Sequence, residues 1–222
     1  MALILNIETS SPICSVCLAK DGQVIDYRED RQGNSHARIL TVLIDEIMRS
    51  NSLTYKGIDA IAVSAGPGSY TGLRIGTSTA KGLCYAMNKP MIAIPTLLSL
   101  AIGIQQKVKS DTAFYLPVVD ARRMDIYTAL FDRQCNEVLK TFFATADKDF
   151  EKMLAPYPEI YFGGSAALKC KGILDPPRFH FVEAVDCDSR MMTGVAEKKF
   201  AAKQFEDVAY FQPFYLKEFG QK

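Results

Sequence analysis

Apolar residues in this chain come in short runs broken by polar and glycine-rich punctuation, and the period of each run predicts its element. Residues 2–8 form a nearly continuous apolar run of strand length, ending in the turn cluster Glu8-Thr9-Ser10-Ser11-Pro12. Residues 13–19 predict a second strand, Asp21-Gly22 is a hairpin signal, and Gln23 to Glu29 continues as a third. The chain therefore opens on an antiparallel meander whose first turn carries a carboxylate and hydroxyls. From His36 to Asn51 the pattern is helical: Leu40, Leu43, Ile44, Ile47 and Met48 share one face, with Ser35 as candidate N-cap. Ile39 and Val42 widen that face beyond what one sheet needs. A strand at 59–64, a glycine-rich run, a helix from Ile75 to Met87, a strand at 91–95 and a helix from Thr96 to Val108 follow.

Near residue 111 the pattern restarts. A strand at 114–121 ends in an acidic turn, Asp120 to Asp125, and 126–132 and 137–144 read as its meander partners. A short helix (148–154), a strand (159–162), the pair Gly163-Gly164, a strand (179–182) and a helix (Ser189 to Phe205) come next, before an aromatic tail. Three strands, helix, strand, helix thus occurs twice, the second copy degenerate. Duplicated β-β-β-α-β-α lobes are the α/β architecture of the actin, hexokinase and Hsp70 superfamily, a ribonuclease H-like arrangement. The expected division is 1–108 and 109–222, with the tail from about 206 packing back on the first lobe.

The glycine-rich run, Ala65-Gly-Pro-Gly-Ser-Tyr-Thr-Gly-Leu-Arg-Ile-Gly76, sits between a strand and a helix. Folds place anions at such a junction, because free helix-start amides and the helix dipole favour negative charge. The spacing matches neither common phosphate loop. Gly66 and Gly72 enclose five residues and are followed by Leu73-Arg74, not Lys-Ser/Thr, and Gly66-x-Gly68 is followed by three residues before Gly72. Two readings stay open. One is an anion site using Glu8, Thr9, Ser10, Gly66, Gly68, Ser69, Gly72 and Arg74, with Gly163 and Gly164 as an adenosine-side counterpart. The other is a tight strand-to-helix turn that needs small residues for packing.

Charge and cysteine content narrow the classes. The formal net charge is +1 over 222 residues, so no overall field draws nucleic acid to this chain, and no basic run appears. Residues 1–8 lack a basic leader and are too short to span a membrane, which makes the cytoplasm the expected compartment. The six cysteines then read as reduced thiols. Cys14-Ser-Val-Cys17 lies in a predicted strand with no helix after it and no second ligand pair, so it reads as core rather than redox or zinc chemistry. The two histidines, His36 and His180, form no metal motif.

At this point the chain resembles one family. Ile4-Leu-Asn-Ile-Glu-Thr-Ser10, Asn34-Ser-His36, the 65–76 run, Ala80-Lys-Gly-Leu83 and, more weakly, Pro213-Phe-Tyr-Leu-Lys217 are similar to the TsaB (YeaZ) family. The resemblance implies a role in making threonylcarbamoyladenosine in tRNA. The chain would be a non-catalytic partner of the catalytic paralogue TsaD, working with the ATPase TsaE and meeting tRNA through that complex. It further implies no metal or cofactor on this chain, with ATP and metal on the partner subunits. The paralogue's His-x-x-x-His pair is not matched, since Leu40 follows His36. Glu8 stands where the family usually has Asp, one methylene longer at the phosphate turn.

The helix patterns add a surface. A helix apolar over more than one stripe is usually buried on more than one side. His36, Ile39, Leu40, Leu43 and Ile47 on the first helix, and Gly72, Ile75, Gly76, Thr79, Ala80 and Leu83 on the second, are the expected contact with the paralogue or, in its absence, with a second copy. The alternative function is a stand-alone phosphotransferase or ATPase of the same superfamily, with Glu8, Asp120 and Asp125 as its carboxylates.

Overall fold

The structure is a computed structural model and describes residues 2–33, 35–174 and 177–216. Asn34 and Lys217, quoted above, lie outside the described residues. The chain divides into two compact units, Met1–Thr96 with Cys187–Tyr215, and Leu97–Asp186 with Leu216. The division therefore falls at 96/97 rather than 108/109.

The first unit runs β1 (Leu3–Glu8), β2 (Cys14–Lys20), β3 (Gln23–Asp30), α1 (His36–Ser50), β4 (Ala60–Ser64), α2 (Tyr70–Met87) and β5 (Met91–Ile94). Its sheet has the order β3-β2-β1-β4-β5, antiparallel through the meander and parallel from β1 to β5. Asp21 (φ 53°) and Gly22 (φ 76°) form the left-handed turn that a right-twisted hairpin needs. Alternation along the strands assigns the faces. Leu5, Ile7, Val16, Ile61 and Val63 pack with Leu40, Leu43, Ile44 and Ile47 of α1 and Ala80 and Cys84 of α2. Ile4, Ala60, Ala62, Ile92 and Ile94 pack on the opposite side with Met192 and Ala196. Strands covered on both faces read as continuous apolar runs, which is why 2–8 shows no alternation.

Met192 and Ala196 belong to a 3-10 turn (Ser189–Met192) and to the helix Thr193–Ala201, numbered α6 below. The helix expected over 189–205 is thus a tight turn followed by nine helical residues, and it completes the first unit's core. Alanines at 60 and 62 give it room against the strands.

The second unit carries α3 from Leu97 onward (Thr96–Gln105), β6 (Phe114–Asp120), β7 (Asp125–Phe131), β8 (Glu137–Thr145), α4 (Lys148–Met153), β9 (Ile160–Gly163), α5 (Ala167–Lys171) and β10 (Phe179–Phe181). Its sheet order, β10-β9-β6-β7-β8, repeats the first with β6 in the place of β1. Leu116, Val118, Ile126, Leu130, Phe150, Ile160 and Phe162 form its core. The duplicated α/β lobes are therefore present. The short α5 was not expected, because five residues carry too little periodicity to show in a sequence.

Candidate functional site

The end of β1 and the glycine-rich run meet inside the first unit. Glu8 is fully buried, and its Oε1 accepts from the Ser10 amide at 2.6 Å. The Thr9 amide donates to Ser64 Oγ (3.3 Å), and the Ser69 amide to the Ser10 carbonyl (2.6 Å). Ser69 caps α2, its Oγ accepting from the Gly72 amide at 3.2 Å, and the Leu73 amide donates to the Ser69 carbonyl. With Ser69 as cap, α2 begins at Tyr70, five residues before the expected start, so Gly72 joins Gly76 within the helix.

The glycines are small because backbone is close. A Cβ on Gly68 would sit 2.5 Å from the Ser10 carbonyl oxygen. One on Gly72 would collide with the Thr9 carbonyl, and one on Gly76 with Thr9 Oγ1. Gly66 adopts φ +99°, and a Cβ there would lie 2.6 Å from the Phe214 carbonyl oxygen. The helix start is thus seated directly on the β1–β2 turn. The amides of Thr9, Ser10, Ser69, Gly72 and Leu73, which would greet a phosphate, are bonded within the protein. Burial raises the Glu8 carboxyl above its ordinary value, outweighing the hydrogen bonds that lower it. Glu8 Oε2 and the hydroxyls of Thr9 and Thr77 are buried without a hydrogen-bond partner among the described residues.

His36 joins the same turn from α1, its Nε2 lying 2.8 Å from the Ser11 carbonyl oxygen. Ser35 does not cap α1; its hydroxyl donates to Asp30 instead. Cys14 and Cys17 are free and buried in β2, and burial pushes both thiols up to about 12. Among the described residues no group of three or more His, Cys, Asp or Glu is placed to hold a metal ion. No helix is long and apolar enough to cross a membrane among the described residues.

Gly163 and Gly164 belong to the second unit. There Gly164 (φ +120°) abuts the Val118 carbonyl, and Gly163 packs on Val182 and Val185. Asp120 takes Lys169 Nζ at 2.5 Å and the Arg122 amide at 2.6 Å, and its own amide donates to Ser165 Oγ. Asp125 accepts from Thr145 Oγ1 at 2.9 Å. Both carboxylates brace a polar turn.

The expected surface residues separate by burial. His36, Leu40, Leu43, Ile47, Gly72, Gly76 and Ala80 are buried in the first unit, while Ile39, Ile75, Thr79 and Leu83 are half-buried. Helical geometry, at 100° per residue, arranges α2 in three bands. Leu73, Gly76, Thr77, Ala80 and Cys84 face inward. Tyr70, Arg74, Lys81 and Tyr85 form one flank. Thr71, Ile75, Ser78, Thr79, Gly82 and Ala86 form an outer face, all of it exposed or half-buried and none of it charged.

The aromatic tail beyond α6, expected to pack back on the first lobe, belongs to the first unit as far as Tyr215. It runs antiparallel along α2. The Glu206 amide donates to the Met91 carbonyl (2.9 Å), Lys81 Nζ to the Ala209 carbonyl (3.1 Å), and the Phe214 amide to the Ala65 carbonyl (2.7 Å). The Tyr215 ring packs against Tyr70 at a tilt, with centroids 5.0 Å apart, and Arg74 lies 4.0 Å over the same Tyr70 ring.

Comparison with known proteins adds to this geometry. The family model for TsaD, tRNA N6-adenosine threonylcarbamoyltransferase, matches residues 30–217. The chain is 35% identical over 135 residues to the tRNA threonylcarbamoyladenosine biosynthesis protein TsaB of Escherichia coli, a match covering 61% of this chain and 57% of that protein. With the Haemophilus influenzae TsaB covered to 51%, the chain spans about half the length of the first curated relatives it matches. In fold it is similar to YeaZ from Pseudomonas aeruginosa, with a TM-score of 0.82, 21% identity, and coverage of 97% of this chain and 100% of that one. A more distant likeness is to a polyphosphate/ATP-glucomannokinase from an Arthrobacter strain (TM-score 0.51, 10% identity, 91% and 100% coverage).

Proposed function

Given that this chain belongs to the TsaD-type family, as a protein of its TsaB (YeaZ) kind, we propose that it is a non-catalytic subunit of the complex that makes N6-threonylcarbamoyladenosine in tRNA. In this reading it docks on a catalytic TsaD-like paralogue, works beside a TsaE-like ATPase, meets tRNA through that complex, and pairs with a second copy when alone. ATP and metal belong to the partner subunits.

The observation that carries this reading is the outer face of α2. A surface band of six small or uncharged residues is unusual for a helix facing only water. Gly82 sits inside the helix at a cost of about 1 kcal/mol relative to Ala, yet nothing lies within 4 Å of where its Cβ would be. Close approach of another backbone explains a glycine that the fold itself does not require. The phosphotransferase alternative needs carboxylates free to hold Mg²⁺. Glu8 is buried with a raised pKa, and Asp120 is ion-paired to Lys169, so neither favours it.

Charge insertion tests the reading. Gly82→Arg should fold like the parent, because the site is open, and should no longer associate with the paralogue or with itself in native mass spectrometry. Gly76→Arg is not the right probe, since Gly76 is packed on Thr9. Unchanged association of Gly82→Arg and of Ile39→Glu would place the contact elsewhere.

A further inference from the structure

The segment after α6 is laid along the whole of α2. The chain passes from Glu206, at Met91 beyond the end of the helix, through a turn at 207–211 to Tyr215 at Tyr70, the first residue of the helix. The contacts fall in reverse order along the helix: Glu206 at Met91, Ala209 at Lys81, Phe214 at Ala65 and Tyr215 at Tyr70. Val208 and Phe211 turn inward onto the first core. Asp207 Oδ1 accepts from the Ala209 amide (2.8 Å) and the Tyr210 amide (3.1 Å), so the backbone at 210 is an ordered turn.

On that ordered backbone the Tyr210 ring is 83% exposed, and Tyr85, one helical turn beyond Lys81, is 87% exposed. A large aromatic ring this exposed on a fixed backbone gives the fold little. Such rings on rigid supports are enriched among the residues that dominate protein interfaces. The two rings flank the contact between Lys81 and the Ala209 carbonyl, beside the uncharged outer band. The flank has a sign as well. Arg74 and Lys81 are the only charged residues of α2, so the surface presents cations and no carboxylate from the helix.

We propose that the C-terminal segment is a component of the partner surface, with Tyr85 and Tyr210 as a pair of aromatic anchors at its edge. The occupant is the paralogous protein subunit, which meets Arg74 and Lys81 with acidic or carbonyl groups. This rests on the reading that α2 faces a paralogue, and extends it from the helices to the strap beside them.

The full-length protein carries the test. Tyr85→Ala, Tyr210→Ala and the double variant are titrated with the paralogous subunit, with Gly82→Arg as a parallel arm. Melting temperatures should stay at the parent value, because both rings are largely exposed. Each single variant should weaken the complex about tenfold, and the double variant more, chiefly through faster dissociation. If Gly82→Arg abolishes the complex while both tyrosine variants bind within twofold of the parent, the strap proposal is wrong and the α2 reading survives. If Gly82→Arg also binds normally, the α2 reading fails with it. Loss of self-association alone, with paralogue binding intact, would overturn the assignment of occupant.

Discussion

At the scale of single residues, Glu8 is the group with the clearest pH signature. It is fully buried at the end of β1, and burial raises its pKa from the ordinary carboxylate value. The sign follows from linkage. Below the unfolded pKa both states are protonated and the carboxyl costs the fold nothing. Above it the unfolded chain ionises while the folded one holds its proton, so stability is lost as pH rises toward the folded pKa. The slope in that window is about 1.4 kcal/mol per pH unit for one proton. Glu8→Gln keeps an oxygen that can accept the Ser10 amide and removes the titration. The variant should melt close to wild type at pH 4 and progressively higher than wild type as pH rises, until the folded pKa is passed. A difference that stays flat from pH 4 to 8 would mean that Glu8 is ionised in the folded protein. Gly68 and Gly72 were legible as a tight junction. That they are seated on Thr9 and Ser10 was not, because sequence spacing does not reveal which backbone lies opposite a glycine.

Among elements, α2 contains glycines under opposite demands, and their substitutions should differ in sign. Gly72→Ala drives a Cβ into the Thr9 carbonyl, a backbone atom of a buried turn, and should lower stability by about 3 kcal/mol or more. Gly82→Ala meets nothing and gains helix propensity, for a rise of about 1 kcal/mol. Urea melts of the two variants give both numbers, and equal effects would mean that the glycines answer to one constraint. The meander, α1, β4 and β5 were readable because their periodicity is strong and the Asp21-Gly22 hairpin signal is specific. The start of α2 was read five residues late because Gly66, Gly68 and Gly72 score as turn residues, and the seat of Gly72 on the Thr9 carbonyl is not visible in the sequence. His36, Leu40, Leu43 and Ile47 looked like candidate surface from apolar width alone. Width shows that a helix is covered on several sides, but not whether its own sheet or another molecule covers each side. The outer band of α2 carried a visible signal, the absence of any acidic residue over 18 positions.

For the molecule as a whole, the consequential feature is that the first unit is built from two distant stretches of chain. Reading lobes in sequence order puts the boundary near 108, because the second set of strands begins just after it. Tertiary packing assigns α6 otherwise. Without Met192 and Ala196, one face of the first sheet, including Ile4, Ala60, Ala62, Ile92 and Ile94, would be open to water. Each large aliphatic side chain so exposed forfeits about 1.5–3 kcal/mol, and three isoleucines alone approach the whole stability of a typical domain. Ser189 strengthens the closure, its amide donating to Ser15 Oγ at 3.1 Å, and Lys199 Nζ donates to the Ala93 carbonyl at 2.7 Å. A fragment of residues 1–108 should therefore lack a cooperative thermal transition and expose Cys14 and Cys17 to thiol reagents. Fusing residues 187–215 to it through a flexible linker should restore both the transition and the protection. A cooperative melt with protected thiols in the 1–108 fragment alone would mean that the sheet and the α1–α2 layer suffice, and that α6 only decorates a core already closed.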